Sequence, residues 1–267
     1  MSGSGYAAEG QLETERLRVQ ARVWEPDAEA MLDQIGVKPG ARCADLGCGV
    51  MGVLGPLSRR AGPEGKVVWV DMDQRLLDSA QGYVREEGLP NVELVEGDVF
   101  STGLPKQSFD LVHARFVLAP VGHADDLMAE MMRLVKPGGV IALQEPDTSS
   151  WNVFPRCMSF DFLRDVLGEY LVLTGGDPNA GRKVFQLLRR ARLKDVKARA
   201  AVKSLQDAHP YMRMVLLGIS PNRAGVVDSL LATERELDRA AEDLDERLRD
   251  PDTRMTTVTL VQAWGTR

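Results

Sequence analysis

Cysteine and histidine are scarce in this chain, with three of each among 267 residues. The cysteines are Cys43, Cys48 and Cys157. They have neither the spacing of a metal-binding motif nor the even number that a disulfide framework requires. We therefore expect reduced thiols and no bound metal.

Long apolar runs and excess positive charge are absent as well. No stretch of about 18 apolar residues occurs, and the first residues lack a basic segment followed by an apolar one. The sequence therefore predicts no membrane span and no secretion signal, which favours a cytoplasmic protein. The formal net charge is −6, so no overall field attracts a phosphate backbone, and nucleic acid is not expected as a partner.

Apolar runs alternate with amphipathic segments through the first half of the chain. They predict strands at 41–46, 67–70, 92–95, 111–114 and 140–143, and helices at 53–61, 74–87 and 124–134. This alternation is typical of a parallel sheet covered on both faces. Outside it we expect two helices in 13–35, interrupted at Pro26, then helices at 155–173, 181–191 and 224–249 and strands at 196–202 and 256–264.

A glycine-rich loop follows the first predicted strand, and acidic residues follow the next two. Gly47 and Gly49 allow a sharp bend and a close approach of backbone N–H groups to a ligand. Asp45 precedes the loop, Asp71 ends the second apolar run and Asp98 follows the third. Because ligands of such sheets bind outside the carboxyl ends of the strands, this set predicts a nucleoside cofactor site.

The segment 47–52 also matches the G-x-G-x-x-G pattern of a dinucleotide site. A carboxylate at Asp45 repels a pyrophosphate and favours a cationic ligand. Asp71 fits the ribose of either cofactor, with Asp73 as its competitor, whereas a carboxylate at Asp98 is not required by NAD. Asp98 is expected to accept from an adenine amino group, and the Val99 N–H to donate to the neighbouring ring nitrogen.

At this point the chain resembles the class I S-adenosylmethionine-dependent methyltransferases. The resemblance lies in Asp45-Leu46-Gly47-Cys48-Gly49, Val70-Asp71, Glu96-Gly97-Asp98, Phe109-Asp110-Leu111-Val112 and Lys136-Pro137-Gly138-Gly139. Segments 109–116, 144–147, 175–178 and 261–265 look like a bacterial small-molecule branch of that family. The resemblance implies an α/β, Rossmann-like class I methyltransferase fold, with a seven-stranded, mostly parallel sheet, helices on both faces and a helical lid.

The resemblance also implies roles for further residues around S-adenosylmethionine. Met72 is expected beside the adenine, although core packing explains it equally well. The backbone at Ala114 is expected to contact the methionine portion. Arg16, on an N-terminal segment that covers the cofactor in this branch, is expected to pair with the methionine carboxylate, with a solvated helix charge as its alternative.

Two residues are candidates for a general base. Glu145 follows the fifth predicted strand beside the acceptor pocket, where it has a helix cap as its alternative role. His123 follows the fourth strand, in Pro120-Val121-Gly122-His123, where the family branch often has His-Leu-Pro-Asp. The family histidine therefore does not transfer to Pro120, and His123 has a surface or packing role as its alternative.

The sequence thus predicts an enzyme that transfers a methyl group to a small organic molecule such as a secondary metabolite. We expect an N-terminal helical cover at 1–37, a cofactor-binding core at 38–150, and helical lid insertions with the last two strands at 151–267. The alternatives are a nicotinamide-dependent reductase, a macromolecule methyltransferase and a non-catalytic binding protein. The identity of the acceptor and the oligomeric state stay open. A homo-oligomer is compatible with the sequence.

Overall fold

The computed structural model describes residues 3–47 and 49–267, with side chains described from residue 12 onward. The helices are α1 (Gly3–Ile35), α2 (Leu54–Ala61), α3 (Gln74–Glu86), α4 (Leu118–Val121), α5 (Ala124–Leu134), α6 (Met158–Leu173), α7 (Gly181–Arg190), α8 (Met214–Asp228) and α9 (Glu234–Arg249). The strands are β1 (Arg42–Leu46), β2 (Lys66–Asp71), β3 (Val92–Glu96), β4 (Phe109–Arg115), β5 (Val135–Asp147), β6 (Asn152–Phe154), β7 (Lys194–Ala201), β8 (Ser204–Leu205), β9 (Arg254–Thr256) and β10 (Thr259–Thr266).

Seven strands form one sheet in the order β3-β2-β1-β4-β5-β10-β7. Strands β1 to β5 pair in parallel, and β10 is antiparallel to both of its neighbours. The expected seven-stranded, mostly parallel sheet with an antiparallel final strand is therefore confirmed. Its order reverses at β1, so the carboxyl ends of β1 and β4 open a crevice for a ligand.

Two apolar layers cover the sheet. Helices α1, α2 and α3 pack on the face that carries Cys43, Trp69 and Leu111. Helices α5 and α7 pack on the opposite face. Asp45 and Arg115 are at even spacing from Cys43 and Leu111 along their strands, so they lie on the α1 face.

Helix α1 differs from the sequence prediction, because it continues through Pro26 as one element. The prediction of two helices was wrong because packing outweighs the hydrogen bond that proline removes. Trp24, Ala28, Met31 and Leu32 around Pro26 are all fully buried. The helix therefore extends without a break from the sheet face to the lid, which is formed by the helices that follow β5.

The segment after β5 carries a core of its own. Helices α6, α8 and α9 pack together with Trp24 of α1, and a small sheet of order β6-β9-β8 lies beside them. The sequence did not predict this sheet, because the strands of the sheet have only two or three residues each. The sequence prediction of one helix at 224–249 also merged part of α8 with α9. The break between α8 and α9 is fixed by a capping box between Thr233 and Glu236.

The other sequence-level expectations have simple placements. Cys43 and Cys157 are free and buried, whereas Cys48 lies outside the described residues. No helix in the described part of the chain is long and apolar enough to cross a membrane. The three-part division at residues 37 and 150 stays a prediction.

Candidate cofactor and acceptor site

A cavity of about 590 Å³ opens at the carboxyl edge of the sheet. Its walls come from the ends of β1, β2 and β4, from the glycine loop, and from α1, α6 and α8. This is the crevice that the reversal of strand order predicts. Of the predicted cofactor residues, Arg16, Asp45, Gly47, Gly49 and Asp71 line it.

The glycine loop turns sharply because two of its glycines have positive φ. Gly47 has φ +66°, and a Cβ there would lie 2.6 Å from a methyl carbon of Val117. Gly49 has φ +62°, and its N–H donates to Asp71 Oδ2 at 2.9 Å. Only glycine adopts this path without strain, and the path brings the loop backbone to the cavity.

Asp71 and Asp73 have different roles. Asp71 ends β2 and lines the cavity, and its other oxygen, Oδ1, accepts from the Asp73 N–H at 3.0 Å. Burial raises the pKa of Asp71 above its ordinary value, whereas hydrogen bonds from backbone amides lower it. Asp73 caps α3 and pairs with Arg75 instead. This geometry favours Asp71 over Asp73 as the carboxylate that meets a ligand.

Asp45 is almost fully buried at the end of β1, where it is hydrogen-bonded to a histidine. Its Oδ1 lies 2.7 Å from Nδ1 of His113, the residue paired with it on β4. Its Oδ2 has no hydrogen-bond partner among the residues that the structure describes. A buried carboxylate with one unsatisfied oxygen fits a cationic ligand.

Arg115 is a second buried charge on the same cavity, two residues after His113. Its Nη2 donates to the Gly52 carbonyl at 2.6 Å, and its Nη1 has no partner within the described chain. Burial lowers the pKa of Arg115 to about 10, although nearby Asp45 raises it. Arg115 therefore remains a cation at neutral pH.

Arg16 also lines the cavity, but its guanidinium is already occupied. Its Nε and Nη2 donate to the two oxygens of Glu13 at 2.7 and 2.6 Å, and Nη1 donates to Gln20 at 3.2 Å. A planar fork paired in this way offers little to a further carboxylate. Arg115 is thus better prepared than Arg16 to bind an anionic group.

Four predicted cofactor contacts are not brought to the cavity. Met72 is 75% exposed, and Ala114 packs into the core on the opposite face of the sheet. Asp98 is exposed, and its Oδ1 accepts from the Phe100 N–H at 2.9 Å. Val99 is half-buried beside Gly47. Their proposed contacts with adenine and methionine therefore stay predictions.

Neither candidate base faces the cavity. Glu145 is fully buried, and its carboxylate accepts backbone N–H bonds from Val117, Leu118 and Ala119 at 2.9, 2.9 and 3.2 Å. It thus caps the start of α4, which was its alternative role. The side chain of His123 is 64% exposed, and its Nδ1 lies 3.5 Å from Asp126. We place neither residue in the reacting site.

The lid side of the cavity is mostly apolar and aromatic. Trp151, Leu167, Tyr170, Tyr211 and Met214 contribute to it. Tyr211 is held by the Trp24 Nε1–H, which donates to its hydroxyl at 3.2 Å, and burial raises the pKa of Tyr211 to about 12. The sequence gives no signal for Met214, because α8 has no clear amphipathic pattern.

Metal chemistry has no obvious place here. Within residues 3–47 and 49–267, no group of three or more His, Cys, Asp or Glu side chains is arranged to hold a metal ion. The charged side chains on the cavity come from α1 and from the ends of β1, β2 and β4.

The central part of the chain is similar to known proteins. Residues 43–139 match the family model of a methyltransferase domain. The demethylmenaquinone methyltransferase of Geobacillus stearothermophilus is 32% identical over 139 residues, which cover 52% of this chain and 58% of that protein. The nocamycin O-methyltransferase of Saccharothrix syringae is 33% identical over 123 residues, which cover 46% of this chain and 44% of that protein. The chain thus spans about half the length of these curated relatives.

Solved structures share the fold over a larger part of the chain. A SAM-dependent methyltransferase from Aquifex aeolicus superposes with a TM-score of 0.52 and 21% identity, covering 72% of this chain and 92% of that one. The geranyl diphosphate C-methyltransferase of Streptomyces coelicolor A3(2) gives a TM-score of 0.55 and 17% identity, covering 92% of this chain and 81% of that one. The class I methyltransferase fold expected from the sequence is therefore confirmed.

The buried carboxyl of Glu145 generates a prediction about pH. Burial raises its pKa from the ordinary 4.5 to about 8. The folded protein therefore keeps a proton that the unfolded chain releases, so this contribution to stability is present below the unfolded pKa and is lost as pH rises through the folded pKa. We expect the free energy of unfolding to fall as pH rises across that window, and Glu145→Gln to flatten the slope.

Urea denaturation of both proteins across this pH range measures the two slopes. The comparison uses the slope and not the absolute stability, since the glutamine amide replaces one oxygen that accepts a backbone N–H. Parallel slopes in the two proteins would show that Glu145 does not titrate in this range.

Proposed function

We propose that this chain, whose residues 43–139 form a methyltransferase domain, transfers a methyl group from S-adenosylmethionine to a small organic acceptor. The observation that carries the proposal is the pair of buried carboxylates, Asp45 and Asp71, on one cavity beside the glycine loop. The names of the relatives support the reaction class, since each relative is called a methyltransferase and its name includes that of a small molecule.

The cavity offers matching groups for each part of the cofactor. Asp71 supports the ribose, because each of its oxygens accepts one backbone N–H and keeps a second acceptor direction for a hydroxyl. The unsatisfied oxygen of Asp45 supports the ammonium group of the amino-acid end. Asp98 and Val99 follow β3 at the same edge of the sheet, and we retain them as the proposed adenine contacts.

Arg115 supports the carboxylate of the same amino-acid end. It lies on the cavity with an unpartnered Nη1 close enough to Asp45 for the charge of that carboxylate to affect its pKa. Two buried, opposite charges match the ammonium and carboxylate groups of an amino acid. This assignment replaces the pairing that the sequence suggested for Arg16.

The acceptor occupies the lid side of the cavity in this proposal. The sulfonium of the cofactor supplies an activated methyl group when bound, so the protein has to orient the acceptor and exclude water. Orientation of this kind is worth roughly 7 kcal/mol or more. The wall formed by Trp151, Leu167 and Tyr170 favours an apolar small molecule. The cytoplasm is the proposed compartment.

The first test compares two neighbouring carboxylates at the end of β2. We expect Asp71→Asn to weaken binding of S-adenosylhomocysteine about tenfold or more, since a charge-assisted hydrogen bond to the ribose is lost. Asp73→Asn is the matched control, because it removes the same charge two residues away and retains a helix cap. Isothermal titration calorimetry measures both affinities, and equal weakening in the two variants would remove Asp71 from the ribose site.

A second test separates Arg115 from Arg16. Arg115→Met should weaken S-adenosylhomocysteine about tenfold or more, but leave 5′-methylthioadenosine within about threefold, because that nucleoside lacks the amino-acid carboxylate. Arg16→Met is the control, and it should change both affinities little. The reverse pattern, with only Arg16 affecting S-adenosylhomocysteine, would restore the original pairing.

Methyl transfer itself is tested with S-adenosylmethionine that carries a labelled methyl group. Purified protein is incubated with a small-molecule extract, and mass spectrometry follows S-adenosylhomocysteine and any mass-shifted compound. We expect both to form together and the Asp71→Asn variant to form less of each. Tight cofactor binding without any transfer would favour the non-catalytic alternative.

A further inference from the structure

Asp45 belongs to a continuous chain of buried polar side chains that crosses four strands. From Asp45 on β1 the chain passes to His113 on β4, Gln144 on β5 and Gln262 on β10, and it ends at the backbone carbonyl of Asp27 in α1. The four side chains are at most 1% exposed. The distances between successive partners are 2.7, 2.7, 2.6 and 3.1 Å.

The end of this hydrogen-bond chain at helix α1 fixes the direction of every hydrogen bond in it. The Asp27 carbonyl only accepts, so Gln262 presents its amide nitrogen, which also donates to the Gln144 oxygen. Gln144 is thereby oriented with its amide nitrogen towards His113 Nε2. Since that nitrogen only donates, Nε2 has to accept, and the ring proton is on Nδ1.

The cofactor end imposes the same direction independently. A carboxylate only accepts, so Asp45 Oδ1 requires a proton on His113 Nδ1. Both ends therefore select one tautomer, in which the imidazole is neutral. An imidazolium would place an Nε2–H against the amide hydrogens of Gln144.

We propose that His113 is a positioning residue for the cofactor, which acts through Asp45 by donating from a neutral ring. A neutral donor satisfies one carboxylate oxygen and fixes its orientation, but it adds no positive charge beside Asp45. The second oxygen is then free for the ammonium group of the ligand's amino-acid end. A histidinium in the same place would form a neutral ion pair with Asp45 and remove much of that attraction.

This inference rests on the proposed function, since it assumes that the cation bound by Asp45 is the ammonium group of S-adenosylmethionine's amino-acid end. It goes further, because it assigns a task to a residue that contacts no ligand group. It also links α1 to the site, because a carbonyl of that helix sets the orientation of two glutamines.

Two substitutions at His113 separate the donor from the rest of the ring. Asparagine places its amide nitrogen near the position of Nδ1, whereas glutamine reaches towards Nε2. We expect His113→Gln to weaken S-adenosylhomocysteine about tenfold and His113→Asn to stay within about threefold of the unaltered protein. Affinity for 5′-methylthioadenosine, which lacks the ammonium, should change less than about threefold in both variants.

A merely structural role would give a different result. Loss of packing at His113 would weaken both ligands together and would not be rescued by asparagine. Equal loss for the two ligands, or unchanged binding of S-adenosylhomocysteine in His113→Gln, would overturn the proposal.

A measurement on the unaltered protein keeps the proposal testable if the variants fail to fold. Nitrogen-15 NMR of histidine-labelled protein should show His113 with a protonated Nδ1 and an unprotonated Nε2 at neutral pH. Protonation of both nitrogens, or of Nε2 alone, would overturn the proposal. Because this readout needs no ligand, a protein that binds no cofactor would disprove the proposed function while the tautomer is still decided.

Discussion

The burial of Asp45 is the constraint on which the rest of the site depends. A carboxylate removed from water is unfavourable unless hydrogen bonds and nearby charge compensate it. Here one oxygen has His113, and Arg115 supplies an opposite charge close by. The compensation is incomplete, because Oδ2 has no described partner. The folded protein thus maintains an unsatisfied negative group where a cationic ligand can complete it.

The parallel sheet makes this arrangement possible. Asp45 and His113 are direct partners in the pairing of β1 with β4, and Gln144 and Gln262 are direct partners in the pairing of β5 with β10. Side chains at paired positions lie on the same face of a sheet, and Gln144 is two residues beyond Ala142, the β5 partner of His113, so all four polar groups share one face. Helix α1 closes over that row and excludes water from it.

The sequence predicted the sheet well, because its central strands are continuous apolar runs ending in glycine or acidic residues. Asp45, Gly47, Gly49 and Asp71 follow or end such runs, and they line the cavity. The sequence failed where long-range packing decides. Glu145 follows a strand as a catalytic carboxylate would, but it accepts three amide hydrogens at the start of α4, from Val117 and the two residues after it. His113 and Gln262 are separated by 149 positions along the chain, so no local pattern could reveal that they share one hydrogen-bond chain.

The lid has its own hydrophobic core, in which α6, α8 and α9 pack together with a small separate sheet. Much of the apolar and aromatic lining of the cavity comes from this region, whereas the charged groups come from the central strands and α1. Substitutions that reshape one wall therefore leave the other's supports in place. With such a division, the shape of the apolar wall can diverge while the buried charges at the strand ends stay the same.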